Sequence, residues 1–172
     1  MAVIRTLALV FLLVLAGCAA PATQPTETPT ETNATVTVDN AANRTYTVEL
    51  RLVPERLTRV TVVGSDGVSR PVENLSAVSG VYAFAPRNAT DVRISTVAES
   101  TSEVRLAPGS GTTTRLVTTG PDATLVVVVR VPGRVVRWAT IYCGPTDTIG
   151  SVDLTLGDGG SFQAVGLQCQ PR

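Results

Sequence analysis

Three thiols, four Asn-x-Ser/Thr sites and a missing base define what chemistry this sequence can offer. Cys18, Cys143 and Cys169 are its only cysteines. All 14 basic residues are arginine, and there is no histidine. A Ser-His-Asp or Cys-His nucleophile needs an imidazole base, and Schiff-base chemistry needs a lysine amine. The common zinc and copper sites need imidazoles or clustered thiolates. Carboxylates, tyrosines and hydroxyls remain, and no spacing singles out a pair of them. Asp147, Asp153 and Asp158 fall near one another, but not at the spacing of a calcium loop. Asp66 and Asp158 sit in glycine turns, where aspartate needs no function. The expectation is no catalytic residue, no metal and no cofactor.

Cys18 closes the stretch MAVIRTLALVFLLVLAGC. Arg5 supplies a positive start, Leu7 to Ala16 is an unbroken apolar run, and small residues end it. That order of charge, apolar core and small-residue site is a signal peptide. The run is too short to span a bilayer, which takes about 20 apolar residues. Leu15-Ala16-Gly17-Cys18 resembles the lipobox of prokaryotic lipoproteins. The resemblance implies cleavage before Cys18 and a lipid on its sulfur, so that residues 1–17 are removed. One acyl chain anchors only marginally, at about 0.8 kcal/mol per buried methylene, and a two-chain lipid would anchor stably.

Residues 18–33 follow as a threonine-, proline- and glutamate-rich stretch, with no apolar side chain larger than alanine beyond the cysteine. Such a segment cannot bury enough surface to offset ordering entropy, so a disordered stalk is expected. The rest, 34–172, is long enough for one domain with a real core. Charge is balanced at 14 basic against 14 acidic residues. No basic surplus exists to hold phosphates, which argues against a nucleic-acid partner.

From Ala34 the pattern is that of strands. Tyr46, Val48, Leu50 and Leu52 alternate with Thr45, Thr47, Glu49 and Arg51, a dry face against a wet one. Asp66-Gly67 between β-formers marks a hairpin. Thr124–Val131, TLVVVVRV, shows no alternation over Leu125–Val129 and reads as a strand buried on both faces. Its valines argue against helix, where β-branched side chains lose χ1 freedom. About ten short strands at regular spacing, with Gly/Pro turns and no amphipathic helix, predict an all-β fold. An immunoglobulin-like β-sandwich fits best, and two subdomains divided near Gly120 are the other arrangement.

The cysteines beyond Cys18 form an even pair in an oxidising compartment. A Cys143–Cys169 disulfide is expected, worth roughly 3.5 kcal/mol in the entropy model for a loop of about 27 residues. In a simple meander its two strands would stand about 9.6 Å apart, beyond the roughly 7 Å a disulfide tolerates. The cysteines must therefore lie past the end of the intervening strand, or on strands that neighbour each other directly or across sheets. Trp138 and Tyr142 share a strand face and read as core packing rather than a ligand platform.

Asn33, Asn43, Asn74 and Asn88 all open Asn-x-Ser/Thr sequons, out of five asparagines in the chain. Serine and threonine frequency alone gives about one such site. The excess predicts N-glycosylation at exposed positions. Lipobox, stalk, sequons and the absence of lysine together resemble surface lipoproteins of halophilic archaea. The chain departs from that group in being near neutral, and a high-GC bacterial origin is the other one its composition admits. Copper lipoproteins of the halocyanin type share the stalk and sandwich but need histidines, so this chain is not one of them. The resulting expectation is a non-catalytic lipoprotein on the extracellular face of the membrane. It would be a binding, adhesion or envelope-structural module with a protein or glycan partner. A carboxylate-based enzyme on envelope polysaccharide, or an accessory subunit of an exported complex or transporter, are the alternatives.

Overall fold

The strand Thr124–Val131 is buried on both faces because it lies at the centre of the middle sheet of three. In the computed structural model, which describes residues 31–75, 80–86, 88–120 and 122–171, twelve strands form. They are β1 (Thr32–Asn40), β2 (Tyr46–Val53), β3 (Arg59–Gly64), β4 (Ser69–Glu73), β5 (Gly80–Phe84) and β6 (Ala89–Arg93). Then come β7 (Ser100–Leu106), β8 (Gly111–Thr118), β9 (Thr124–Val131), β10 (Arg134–Tyr142), β11 (Asp147–Leu156) and β12 (Phe162–Pro171). The expected signal peptide, Cys18 and most of the stalk lie outside the described residues. β1 takes in Thr32 and Asn33, at the end of the segment expected to be stalk.

β5-β10-β9-β2-β7 make a five-stranded sheet, β12-β11-β1-β8 a four-stranded one and β4-β3-β6 a three-stranded one. Leu125, Val127, Val129 and Val131 of β9 face the four-stranded sheet. They join Val36, Val38, Val48, Leu50, Leu116, Val152 and Leu154 in an inner core. Val126 and Val128 face the other way, into an outer core with Val60, Leu75, Val92, Val135 and Trp138. Alternation along one strand thus supplies two cores, and four consecutive valines are what a strand between two layers requires.

The sandwich expected from the pattern is present, with twelve strands instead of about ten and a third sheet laid over one face. That layer changes β2. Glu49 and Arg51, on the side expected to be wet, are only 19% and 17% exposed because β6 roofs them. The chain does not divide at Gly120. β1 pairs in parallel with β11 and antiparallel with β8, and β2 pairs with β9, so both sheets of the sandwich mix the two halves. Gly120 is packed so tightly on Pro54 that a Cβ there would sit 1.8 Å from its carbonyl oxygen.

The hairpin at Asp66-Gly67 forms between β3 and β4. The Asp66 carboxylate accepts from the Val68 N–H, and Gly67 takes a φ of 75°, the left-handed conformation glycine tolerates best.

Candidate functional site

β10 places the cysteine and the tryptophan on opposite faces of the middle sheet. Trp138 and Cys143 are five residues apart, an odd number, so alternation sends them in opposite directions. Cys143, just past β10, is 3% exposed and enters the inner core. It is bonded to Cys169 of β12, with Cα atoms 5.6 Å apart. The disulfide therefore joins the five-stranded to the four-stranded sheet, which is the across-sheets arrangement among those the sequence left open. Trp138, 1% exposed, lies in the outer core and stacks on Phe84 with ring centroids 4.2 Å apart. It is a core residue, as expected, but it does not pack on the disulfide in the manner of an antibody domain. Tyr142 is 3% exposed, with the Arg56 guanidinium 5.7 Å from its ring centre. The two rings offer no ligand platform.

All four sequon asparagines are exposed: Asn33 on β1, Asn43 in the bend before β2, Asn74 after β4 and Asn88 before β6. Asn74 and Asn88 have φ of 61° and 57°, the only non-glycine residues with positive φ among those described. Asparagine tolerates this region better than other side chains, so these two also serve their turns. Asn40, the one asparagine outside a sequon, is the one that is buried.

Glu49, Asp66, Glu73 and Asp91 are engaged by arginine, and Glu99 by a backbone N–H and two hydroxyls. Between the middle and outer sheets, Glu49 pairs with Arg51 at 2.6 Å and with Arg130 at 3.3 Å, and Arg130 reaches Asp91 at 2.9 Å. Arg51 and Arg130 also donate to the carbonyls of Val92 and Thr90. Partial burial raises the Asp91 carboxyl, but hydrogen bonds from Arg130, Arg93 and the Val92 N–H outweigh it and hold the group below its ordinary value. Glu99 accepts from the Thr119 N–H at 2.7 Å and from the Thr118 and Thr119 hydroxyls at 2.8 Å, which holds its carboxyl low as well. A carboxyl held ionised in this way is a poor general acid at neutral pH.

Asp147 and Asp153 lie six residues apart on β11, about 20 Å at strand rise, so they cannot share one ion. Asp158 is in the 3₁₀ turn that follows. Among the described residues no three cysteine or carboxylate groups converge as a metal site.

The family model described as "Halobacterial Ig domain protein" matches residues 1–170. The chain belongs to this family. No curated protein and no solved structure gave a match. The immunoglobulin-like sandwich is thus both the observed fold and the family's named domain, and such domains serve widely as cell-surface and structural modules. A halophilic archaeal surface protein agrees with the family's description.

Two polar groups that organise this halobacterial Ig domain protein were not legible as such. Asn40 donates to the carbonyls of Arg44, Leu106 and Ala107 at 2.8–3.1 Å and accepts from the Ala42 N–H. It ties β1 to the end of β7 and holds the turn before β2. Its exclusion from the sequon pattern was the available signal. Tyr46, fully buried on β2, donates to the Gly157 carbonyl and accepts from the Gly160 N–H at 2.7 Å. Its hydroxyl thereby fixes the turn joining β11 and β12. Nothing in the local sequence distinguishes it from any other core-facing tyrosine.

Proposed function

We propose that this chain is a non-catalytic surface lipoprotein, held to the outer face of the cell membrane by lipid on Cys18. It presents its immunoglobulin-like domain as a binding, adhesion or envelope-structural module. The observation that carries this reading is the Cys143–Cys169 disulfide. Disulfides persist in oxidising compartments, in keeping with export. Pairing these two also leaves Cys18, at the end of the signal-like run, as the one cysteine free for another purpose. The exposure of Asn33, Asn43, Asn74 and Asn88 supports glycosylation of the same exported domain. The carboxyls of Asp91 and Glu99 are held below their ordinary values, which suits them poorly as general acids and supports binding over hydrolysis.

Two measurements on the protein from native membranes test this. The wild type should partition into detergent and have a mass corresponding to Cys18 as its first residue with lipid attached. Cys18→Ser should enter the aqueous phase or remain unprocessed. A mature form that begins elsewhere and carries no lipid would exclude the anchor. Hexose-bearing peptides spanning the four asparagines are expected in the same digest.

A further inference from the structure

Six strands lie at the edges of the three sheets, and they are protected unequally. β4 carries Arg70, Pro71 and Glu73, β6 carries Asp91 and Arg93, β7 carries Glu103 and Arg105, and β8 carries Arg115. Charges and proline on an edge discourage further strand pairing. β5 has no charge but is five residues long. β12 is ten residues long, Phe162-Gln-Ala-Val-Gly-Leu-Gln-Cys-Gln-Pro171, with no charged side chain and proline only as its last residue. It pairs with β11 on one side and with no described strand on the other.

β12 is also exposed across its faces. Its register sets Val165 and Leu167 opposite Leu154 and Val152, which point into the inner core. The inner core covers that side of β12 only in part: Phe162 and Leu167 pack against it and Cys169 is bonded to Cys143, but Val165 remains 39% exposed. No sequon lies beyond residue 90, so glycans on the four asparagines originate on other elements.

We propose that this edge is a self-association surface, on which a second copy of the chain lays its own β12 antiparallel about a two-fold axis at Gly166. The two four-stranded sheets would become one of eight strands. Several features of β12 favour a second copy as the occupant. In that register Gly166 faces Gly166, while Val165 of each copy faces Leu167 of the other, so two half-covered apolar pairs close into one cluster. Gln168 faces Ala164 on the opposite side of the sheet. No charge meets its like anywhere along the strand, and like charges directly opposite are what destabilise an antiparallel pair. The symmetric arrangement closes at two copies. The proposal rests on β12 alone and stands whether or not Cys18 carries lipid.

Cysteine cross-linking on the full chain in detergent tests it. Directly opposed residues in an antiparallel pair have Cα atoms about 4.5–5.5 Å apart, within disulfide range. A Cβ at Gly166 meets nothing nearer than Asp153 at 3.4 Å, so Gly166→Cys fits the existing fold. Mild oxidation of Gly166→Cys should give a covalent dimer, and Thr113→Cys on the β8 edge should not. Without any added cysteine, wild type should sediment as a dimer. Val165→Lys should weaken that dimer at least about tenfold by placing an ammonium against Leu167 of the second copy. A monomeric wild type would overturn the proposal. So would a dimer that neither cross-links through Gly166→Cys nor weakens with Val165→Lys, since it would use another surface.

Discussion

The most demanding residue in this domain is one that makes no contact with solvent. Asn40 satisfies carbonyls at the end of β7 and the N–H of Ala42 with a single side-chain amide. Alanine would leave these buried groups without partners, at about 1–3 kcal/mol each before relaxation. Asn40→Ala is expected to cost about 3 kcal/mol in a denaturant titration, a large share of a typical domain's stability. Asn40→Asp keeps the acceptor for Ala42 but turns a carboxylate toward three carbonyl oxygens. It should be at least as destabilising at neutral pH. A loss below about 1 kcal/mol for both variants would mean that water replaces the amide without cost. The same residue type serves a different purpose at Asn74 and Asn88, where exposure and positive φ go together. There an aspartate should be tolerated, because it accepts the left-handed conformation and leaves no sequon.

Among the elements, β9 was the most legible from sequence and the third sheet the least. Four valines in a row could only mean a strand covered on both sides, and the structure supplies a core for each side. Val126→Ala and Val127→Ala should therefore cost alike, about 2 kcal/mol each, although they face different sheets. A two-layer sandwich would let Val126→Ala pass nearly unnoticed, so chemical denaturation of the two variants reports directly on the outer sheet. The hairpin at Asp66-Gly67 and the inward face of β2 were equally plain, because turn chemistry and period-two alternation are local signals. The third sheet was not. Its strands pair only with each other, and its packing on β9 and β10 is a long-range contact that no local period encodes. The position of Trp138 is local information as well, since its odd separation from Cys143 already puts the two on opposite faces. Of the candidate site, the disulfide partner followed from counting cysteines, whereas its inter-sheet route depended on β11 leaving the sheet of β10 for that of β1.

Taken whole, the molecule has an unusual titration inventory, and this fixes its stability profile. It has no histidine and no lysine, and Cys143 and Cys169 are joined. Without histidine, the acid-side dependence of stability falls to carboxyls, of which Asp66, Asp91 and Glu99 are held below their ordinary values. Stability should show no step between about pH 5 and pH 8, the range where histidine proteins usually show one. The acid limb has a defined sign. Asp66 is held low by Arg70 and the Val68 N–H. Asp91 is held low by its arginines in spite of burial, and Glu99 by the Thr119 N–H and two hydroxyls. A carboxyl with a depressed folded value binds fewer protons in the folded than in the unfolded chain around pH 4. Its contribution is complete above the unfolded value and is lost as pH falls through the folded one. Thermal melts should thus hold a constant midpoint down to about pH 5 and then decline. Glu99 provides the specific check, because it joins the segment before β7 to the end of β8 and so links the edges of two sheets. Glu99→Gln keeps one acceptor oxygen and loses the charge. It should melt below wild type at pH 7, and the gap should narrow as the pH falls through the lowered folded value of the wild-type carboxyl, where that group becomes neutral. A gap of constant size across that range would show that the threonines recognise the shape of the side chain and not its charge.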